Sequence, residues 1–247
     1  MGDTTGISWT DHTFNPWWGC TKIAPGCDNC YAATFDARTG GDYWNPKVAP
    51  RRTKAANWRK PRKWNEIAEI SNRRRRVFCG SMMDWCDNNA PPGARAELFE
   101  LIKQTPMLDW QLLTKRATRI RECLPADWGD GYPNVWLGVT AEDVEFGIPR
   151  IDAVREIPAA VRFVSAEPLL DDLGAPDLSG IDWVIIGGES GPGFRAMEPA
   201  WAQSLRDTCF SQSVAVWFKQ HGGRTSDKGG CLIDGEELKQ WPLERAA

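Results

Sequence analysis

The sequence contains no apolar run of the roughly 18 residues that a membrane span requires. Nor does it open on the charged and then apolar stretch of a secretory signal. Its eight cysteines are spread unevenly over 247 residues, a pattern unlike the even, closely spaced framework of a small disulfide-stapled domain. No long internal repeat and no low-complexity tract interrupts it, which excludes solenoid and linker-rich architectures. What is left is a chain expected in a reducing cytoplasm, where thiols bind metal or do chemistry more often than they pair.

With 42% apolar residues, the chain can bury a full core without staples, and its length suits one large domain or two small ones. The net charge of −3 conceals an uneven distribution. Residues 51–76, "RRTKAANWRKPRKWNEIAEISNRRRR", carry eleven Lys/Arg against two Glu, a local +9 that leaves the rest of the chain at −12. Trp58 and Trp64 interleave with these cations, as in a surface that tracks a nucleic-acid backbone. Arg73, Arg74, Arg75 and Arg76 are its densest part; a solvated loop and helix face is the plainer alternative. Fourteen tryptophans are expected mostly in the core.

After residue 76 an apolar strand, a polar tip and a helix recur. Residues 76–81, 110–114, 134–140, 161–168, 182–191 and 214–222 read as strands, and a further one is expected near residues 6–14. Residues 94–104 form an amphipathic helix with Leu98, Leu101 and Ile102 on one face. "KRATRIRECL", "AEDVEFGIPRIDAV" and residues 198–210 supply further helical segments. Alternation of this kind predicts βα units on a parallel sheet, and polar strand tips predict chemistry at its C-terminal edge. Six or seven strands fall short of a closed barrel, so the sequence predicts an α/β fold with a partial barrel; a doubly wound open sheet is the alternative. The barrel is expected over residues 1–222, with an irregular basic insertion at 39–76 and a Gly-rich C-terminal appendage at 223–247.

The stretch "NPWWGCTKIAPGCDNCY" places Cys20, Cys27 and Cys30 within eleven residues, spaced Cys-x6-Cys-x2-Cys. Pro25-Gly26 turns the chain before the second thiol. A closed zinc site needs four ligands, and His12 can supply the fourth. A [4Fe–4S] cluster on three thiolates instead keeps one iron open. Spacing alone leaves both readings standing. Cys79, Cys123 and Cys209 read as small core residues, Cys86 stays open, and His221 reads as structural.

Seven segments taken together resemble a phage-associated family of three-cysteine, radical-SAM-like proteins. They are "NPWWGCTKIAPGCDNCYA", "VFCGSMMDWC", "LLTKR", "NVWLGVT", "RFVSAEPLL", "IDWVIIGGESGPGFR" and "WFKQHG", in this order over nearly the whole chain. The resemblance implies a (β/α)6 TIM-like partial barrel of the radical SAM type, a [4Fe–4S] cluster on Cys20, Cys27 and Cys30, and S-adenosyl-L-methionine as cosubstrate. The first gap of six departs from the superfamily's usual Cys-x3-Cys-x2-Cys. By the same resemblance Tyr31 lies near the adenine, Ser81 and Asp84 near the amino group, and Gly187, Gly188, Glu189 and Ser190 against ribose, methionine or substrate. Packing for Tyr31 and helix capping for Asp84 are the structural alternatives. Lys115 and Glu167 are candidate catalytic groups at strand tips, with an ion pair in the barrel mouth as the alternative role; Lys219 and Gln220 are similar.

The implied activity is a radical enzyme that generates a 5′-deoxyadenosyl radical, with a one-electron reductant of the flavodoxin or ferredoxin type as partner. The family's phage setting implies an isomerase that rearranges an amino-acid-modified thymine base in DNA hypermodification, acting in the infected host cytoplasm. Residues 51–76 are the expected DNA contact. The rival class is a non-catalytic nucleic-acid-binding protein with a structural zinc or iron–sulfur site; a third is a host-takeover interaction protein that keeps the barrel without its chemistry.

Overall fold

A computed structural model of the chain describes residues 5–225 and 227–242. The first half contains β1 (His12–Phe14), β2 (Trp17–Trp18), α1 (Tyr31–Arg38), β3 (Arg51–Arg52), α2 (Ala55–Ile70), β4 (Arg75–Cys79) and α3 (Ala94–Lys103). There follow β5 (Leu108–Thr114), α4 (Ile120–Cys123), β6 (Val135–Thr140), α5 (Val144–Arg155), β7 (Val161–Ala166) and β8 (Trp183–Gly187). The remainder is α6 (Pro199–Ser211), β9 (Ala215–Gln220) and the hairpin β10 (Leu232–Ile233) with β11 (Glu236–Glu237). Seven strands form one parallel sheet in the order β1-β4-β5-β6-β7-β8-β9. β2 and β3 make a separate two-stranded ribbon.

This corrects the expected six-stranded radical-SAM barrel. The sheet is a seven-stranded half-barrel, because "WVIIG" and "AVWFKQ" are both full strands and His12–Phe14 adds an edge strand beside β4. The basic stretch 39–76 is not irregular either. Its middle is the 16-residue helix α2, which buries Trp58, Trp64 and Ala68, and its end is β4. Pro61, which reads as a breaker, sits inside this helix. The described part of the C-terminal appendage packs on the sheet: Phe218 N–H donates to Leu238 O at 2.7 Å and Gln240 N–H to Val216 O at 2.8 Å. Residues 243–247 of that appendage lie outside the described residues.

The strands alternate between two faces, as period-two pleating requires, and both faces are mainly apolar, with Asp109 and Gln111 of β5 as buried polar exceptions. Val77, Leu112, Leu137, Val164, Val184, Ile186 and Val216 join the core beneath the helices. Phe78, Trp136, Phe163, Trp183, Ile185 and Trp217 form a second cluster on the other side of the sheet. Trp9, just before β1, reaches across that inner face to Trp183 on β8, with ring centroids 6.2 Å apart. Strands far apart in sheet order are thus joined across the concavity, and the aromatic cluster plugs its N-terminal end. Trp241 closes the plug, 5.3 Å from Trp183 and 4.7 Å from Trp217. Towards the C-terminal tips the inward residues turn polar: Thr140, Ser165, Glu167 and Lys219. The plugged floor and polar mouth set where chemistry can occur.

Gly138 is paired with Phe163 in the β6–β7 register, and the Phe163 ring lies over it. A Cβ at Gly138 would stand 2.3 Å from that ring, which is fully buried. Gly138→Ala is therefore expected to cost about 1–3 kcal/mol through overpacking, measured by urea unfolding; an unchanged midpoint would show that the plug repacks freely.

Candidate functional site

The cysteine loop lies over the C-terminal mouth of the sheet. Cys20 follows β2, Cys27 ends a 3-10 turn over Pro25–Cys27, and Cys30 is the residue that precedes the first turn of α1. All three thiols are free of disulfides and half-buried. Burial pushes the Cys20 thiol upward, Asp84 and Asp87 add to this, and Arg116 opposes it.

The tips of four strands hold this loop. Arg116, just past β5, is buried with its guanidinium 2.9 Å from both Asp84 and Asp87. It also donates to Thr21 O at 2.8 Å and Thr21 Oγ1 at 2.6 Å, and its Nη1 lies 3.7 Å from Cys20 Sγ. Asp87 accepts from Thr21 N–H at 2.9 Å. Past β6, Glu142 is fully buried; one oxygen pairs with Arg150, and Oε1 has no hydrogen-bond partner among the described residues. Oε1 is aimed at the cysteine loop: a Cβ on Gly26 would lie 3.0 Å from it. Past β8, buried Glu189 accepts from Asn29 Nδ2 at 2.9 Å and from Arg195 N–H at 2.8 Å. Arg195 in turn donates to Pro25 O at 3.0 Å. Burial opposes ionisation of Glu189, yet the bonds from Arg195 and Asn29 outweigh it and hold the carboxyl below its usual range.

The sequence-predicted residues divide on this geometry. Tyr31, Ser81 and Ser190 line one cleft of about 420 Å³, together with Trp18, Asn29 and Phe35. The Tyr31 hydroxyl donates to Ser81 O at 2.7 Å, and Ser81 Oγ accepts from Asn15 Nδ2 at 2.8 Å. Asp84 is committed to the protein itself: it accepts from Cys86 N–H, Thr114 Oγ1, Lys115 N–H and Arg116. Gly188 joins the tips of β8 and β9, exchanging bonds with Gln220 at 2.9 and 3.1 Å. A Cβ there would meet His221 O at 1.9 Å, so only glycine fits. Gly187 packs beside Glu167 and Lys219, which form an ion pair in the mouth. Lys115 Nζ reaches Thr140 Oγ1 at 3.3 Å.

Arg73, Arg74, Arg75 and Arg76 are not brought to the site. They lie at the N-terminal end of β4, opposite the mouth, where Arg74 pairs with Asp109 and Arg75 with Asp11, and Arg76 stacks 3.5 Å from the Trp241 ring centre. Sequence reasoning missed Arg116, Asp87, Asn29, Glu142 and Arg195. The only signal was their position, each just past a strand tip or beside a cysteine.

The described residues contain no group of three His, Cys, Asp or Glu side chains arranged to hold a metal ion. Nor is any helix among them long and apolar enough to cross a membrane. The chain matches the family described as a protein of unknown function, DUF5131, over residues 4–242. It belongs to that family. No curated protein and no solved structure matches it. The family's description carries no activity, so function has to be argued from the mouth itself.

Arg116→Met should destabilise the protein by about 3–5 kcal/mol, because Asp84 and Asp87 are left as buried unpaired charges; equilibrium urea unfolding measures this. Glu189→Gln should cost about 1–3 kcal/mol at neutral pH. Since the folded carboxyl titrates below the unfolded one, the wild-type advantage is present above the ordinary value of 4.5 and fades as pH falls through the folded value. Parallel unfolding curves of the two proteins between pH 7 and pH 3 read that convergence; a constant gap would remove Glu189 as a charged anchor.

Proposed function

We propose that this DUF5131 protein is a radical S-adenosylmethionine enzyme whose cysteine loop carries a [4Fe–4S] cluster. One observation carries the reading: three unpaired thiols on a single loop, anchored over the polar mouth beside a cleft lined by Tyr31, Ser81 and Ser190. The donor chemistry suits such a cluster, although the described residues do not gather the three thiols into one ligand group. Three thiols are available on one loop, and the unpartnered Glu142 oxygen gives that loop an acceptor to settle on. Cys20, Cys27 and Cys30 would hold the cluster, and bound there it would supply one-electron reductive cleavage of the sulfonium to yield a 5′-deoxyadenosyl radical.

The chain's own residues do the rest. Arg116 and Arg195 fix the two ends of the loop, and their positive charges offset the negative charge of thiolate ligands. Tyr31 and the Ser190-Gly191 backbone offer an aromatic face and polar groups to an adenosyl ligand in the cleft. The Trp plug excludes water from the N-terminal side of the sheet. Glu167, Lys219 and Lys115 face the mouth as groups to orient a substrate. For the substrate, a modified thymine base in DNA is the class we favour. The supporting cations are now Arg38 at the cleft and Arg51 opposite Trp18, rather than Arg73–Arg76. An isomerase acting there would draw its electron from a flavodoxin- or ferredoxin-type donor.

The test is anaerobic reconstitution with iron and sulfide, followed by an assay for 5′-deoxyadenosine with reductant, with and without DNA carrying modified thymine. Cys20→Ala, Cys27→Ala and Cys30→Ala should each lose the iron and the product, while Cys209→Ala keeps both. Equal iron in Cys27→Ala and wild type would overturn the assignment. A colourless protein holding stoichiometric zinc would favour the structural-site alternative.

A further inference from the structure

The rim of the cleft carries rings and cations that the proposed chemistry does not use. Phe35 lies one turn after Tyr31 on α1, and both are exposed. The Trp18 ring stands 5.9 Å from Phe35. In the β2–β3 ribbon Trp18 is paired directly with Arg51, and directly opposed residues of an antiparallel pair project from the same face. Arg51 therefore stands on the cleft side of the ribbon, while Trp17, on its other face, is fully buried. The Arg51 guanidinium lies 5.1 Å from the centre of the Tyr43 ring. Arg38 lines the cleft with Trp18 and Phe35. Arg38, Phe35, Trp18, Arg51 and Tyr43 thus form one continuous strip.

This strip is held in place and left positive. Asp36 is buried and accepts from Trp18 Nε1 at 2.7 Å and from Tyr43 N–H at 2.8 Å. One carboxylate thereby fixes both the indole and the loop that carries Tyr43. Residues 31–54 hold five Lys/Arg against two Asp. One of those Asp is the buried Asp36, and the other, Asp42, accepts from Asn45 Nδ2 at 2.9 Å. Arg38, Lys47, Arg51 and Lys54 are exposed and form no ion pair among the described residues. Exposed rings set between unpaired cations suit a polyanion that also offers flat apolar faces. An acidic peptide supplies the charge without the faces. Duplex DNA covers its base faces in its own stack, so only unpaired bases can lie on Phe35 and Trp18.

We propose that the strip is a track for single-stranded DNA, with an unpaired base stacked on Phe35 beside Trp18 and the flanking phosphates met by Arg38 and Arg51. The inner part of the cleft, at Tyr31 and Ser190, stays with the adenosyl ligand. The choice of DNA as the polymer rests on the preceding reading; the single strand follows from the strip. A base within a duplex has to leave its stack before it reaches the mouth.

The experiment is fluorescence anisotropy of a labelled oligothymidylate of about 12 nucleotides, titrated with the full-length protein at about 50 mM salt. The comparison ligands are its duplex with oligoadenylate and an abasic strand of equal length. The single strand should bind at least about fivefold more tightly than either. Phe35→Leu, which keeps an apolar side chain but no ring, should lose that margin, and Phe35→Trp should keep it. Arg51→Gln should weaken binding and lower the salt slope by about 0.7. Arg73→Gln, just before β4 at the opposite end of the sheet, should change neither. The idea is overturned if the single strand does not bind, or if the duplex or the abasic strand binds equally well. It is equally overturned if Phe35→Leu, with an unchanged melting curve, binds like wild type. The readout needs neither iron nor S-adenosylmethionine. Formation of 5′-deoxyadenosine by a protein that ignores single strands removes this inference alone; single-strand binding without that product removes the enzyme reading alone.

Discussion

Arg116 is buried between Asp84 and Asp87, and the mouth of the protein is organised around that contact. A guanidinium removed from water is costly unless its donors are paired in good geometry. Here two carboxylates, a carbonyl and a hydroxyl receive them, and the last two belong to Thr21 in the cysteine loop. The pairing therefore does two things at once. It ties the tip of β5 to the tip of β4, and it fixes the N-terminal end of a loop that has little regular structure of its own. Glu189, Arg195 and Asn29 do the same for the other end from the tip of β8. Between these two clamps, Glu142 presents an oxygen that has no hydrogen-bond partner among the described residues.

The other end of the sheet explains why such clamps are affordable. Tryptophans from β6, β8 and β9, with Trp9 and Trp241, fill the inner face near the strand starts. Each fully buried large apolar side chain contributes roughly 1.5–3 kcal/mol, so the floor supplies stability that the polar mouth does not. The Arg76 guanidinium stacks on Trp241 in this plug. A cation at a strand start thereby becomes part of the closure.

How much was legible in the sequence follows from the range of the forces involved. Strands from β4 to β9 and helices α3 and α6 were readable because apolar periodicity is local. The half-barrel's extra edge strand was harder, since β1 has three residues and is recognised only by its pairing with β4. Helix α2 was hidden by its charge and by Pro61, although Trp58, Trp64 and Ala68 keep a helical face. The cysteines and the cleft residues Tyr31, Ser81 and Ser190 stood out by spacing and by position at strand tips. Asp84 and Glu189 were seen as cofactor contacts but are occupied by the protein. Their partners Arg116 and Arg195 come from other segments, and Arg195 reaches a loop some 170 positions earlier in the chain. The surroundings of Arg74, Arg75 and Arg76 were hidden for the same reason: Asp109, Asp11 and Trp241 are invisible from a basic run.

Function is the step at which geometry hands over to chemistry. Three free thiols, two loop clamps and an adjoining aromatic cleft are what a cluster that engages a small adenosyl ligand would need. The sensitive measurement is electron paramagnetic resonance of the anaerobically reconstituted, reduced protein before and after addition of S-adenosylmethionine. The account predicts a [4Fe–4S]⁺ signal whose shape changes when the cosubstrate binds, and whose change is lost when Tyr31 is replaced by Ala. A cluster signal unmoved by S-adenosylmethionine, or a protein that takes up zinc and no iron, would contradict it.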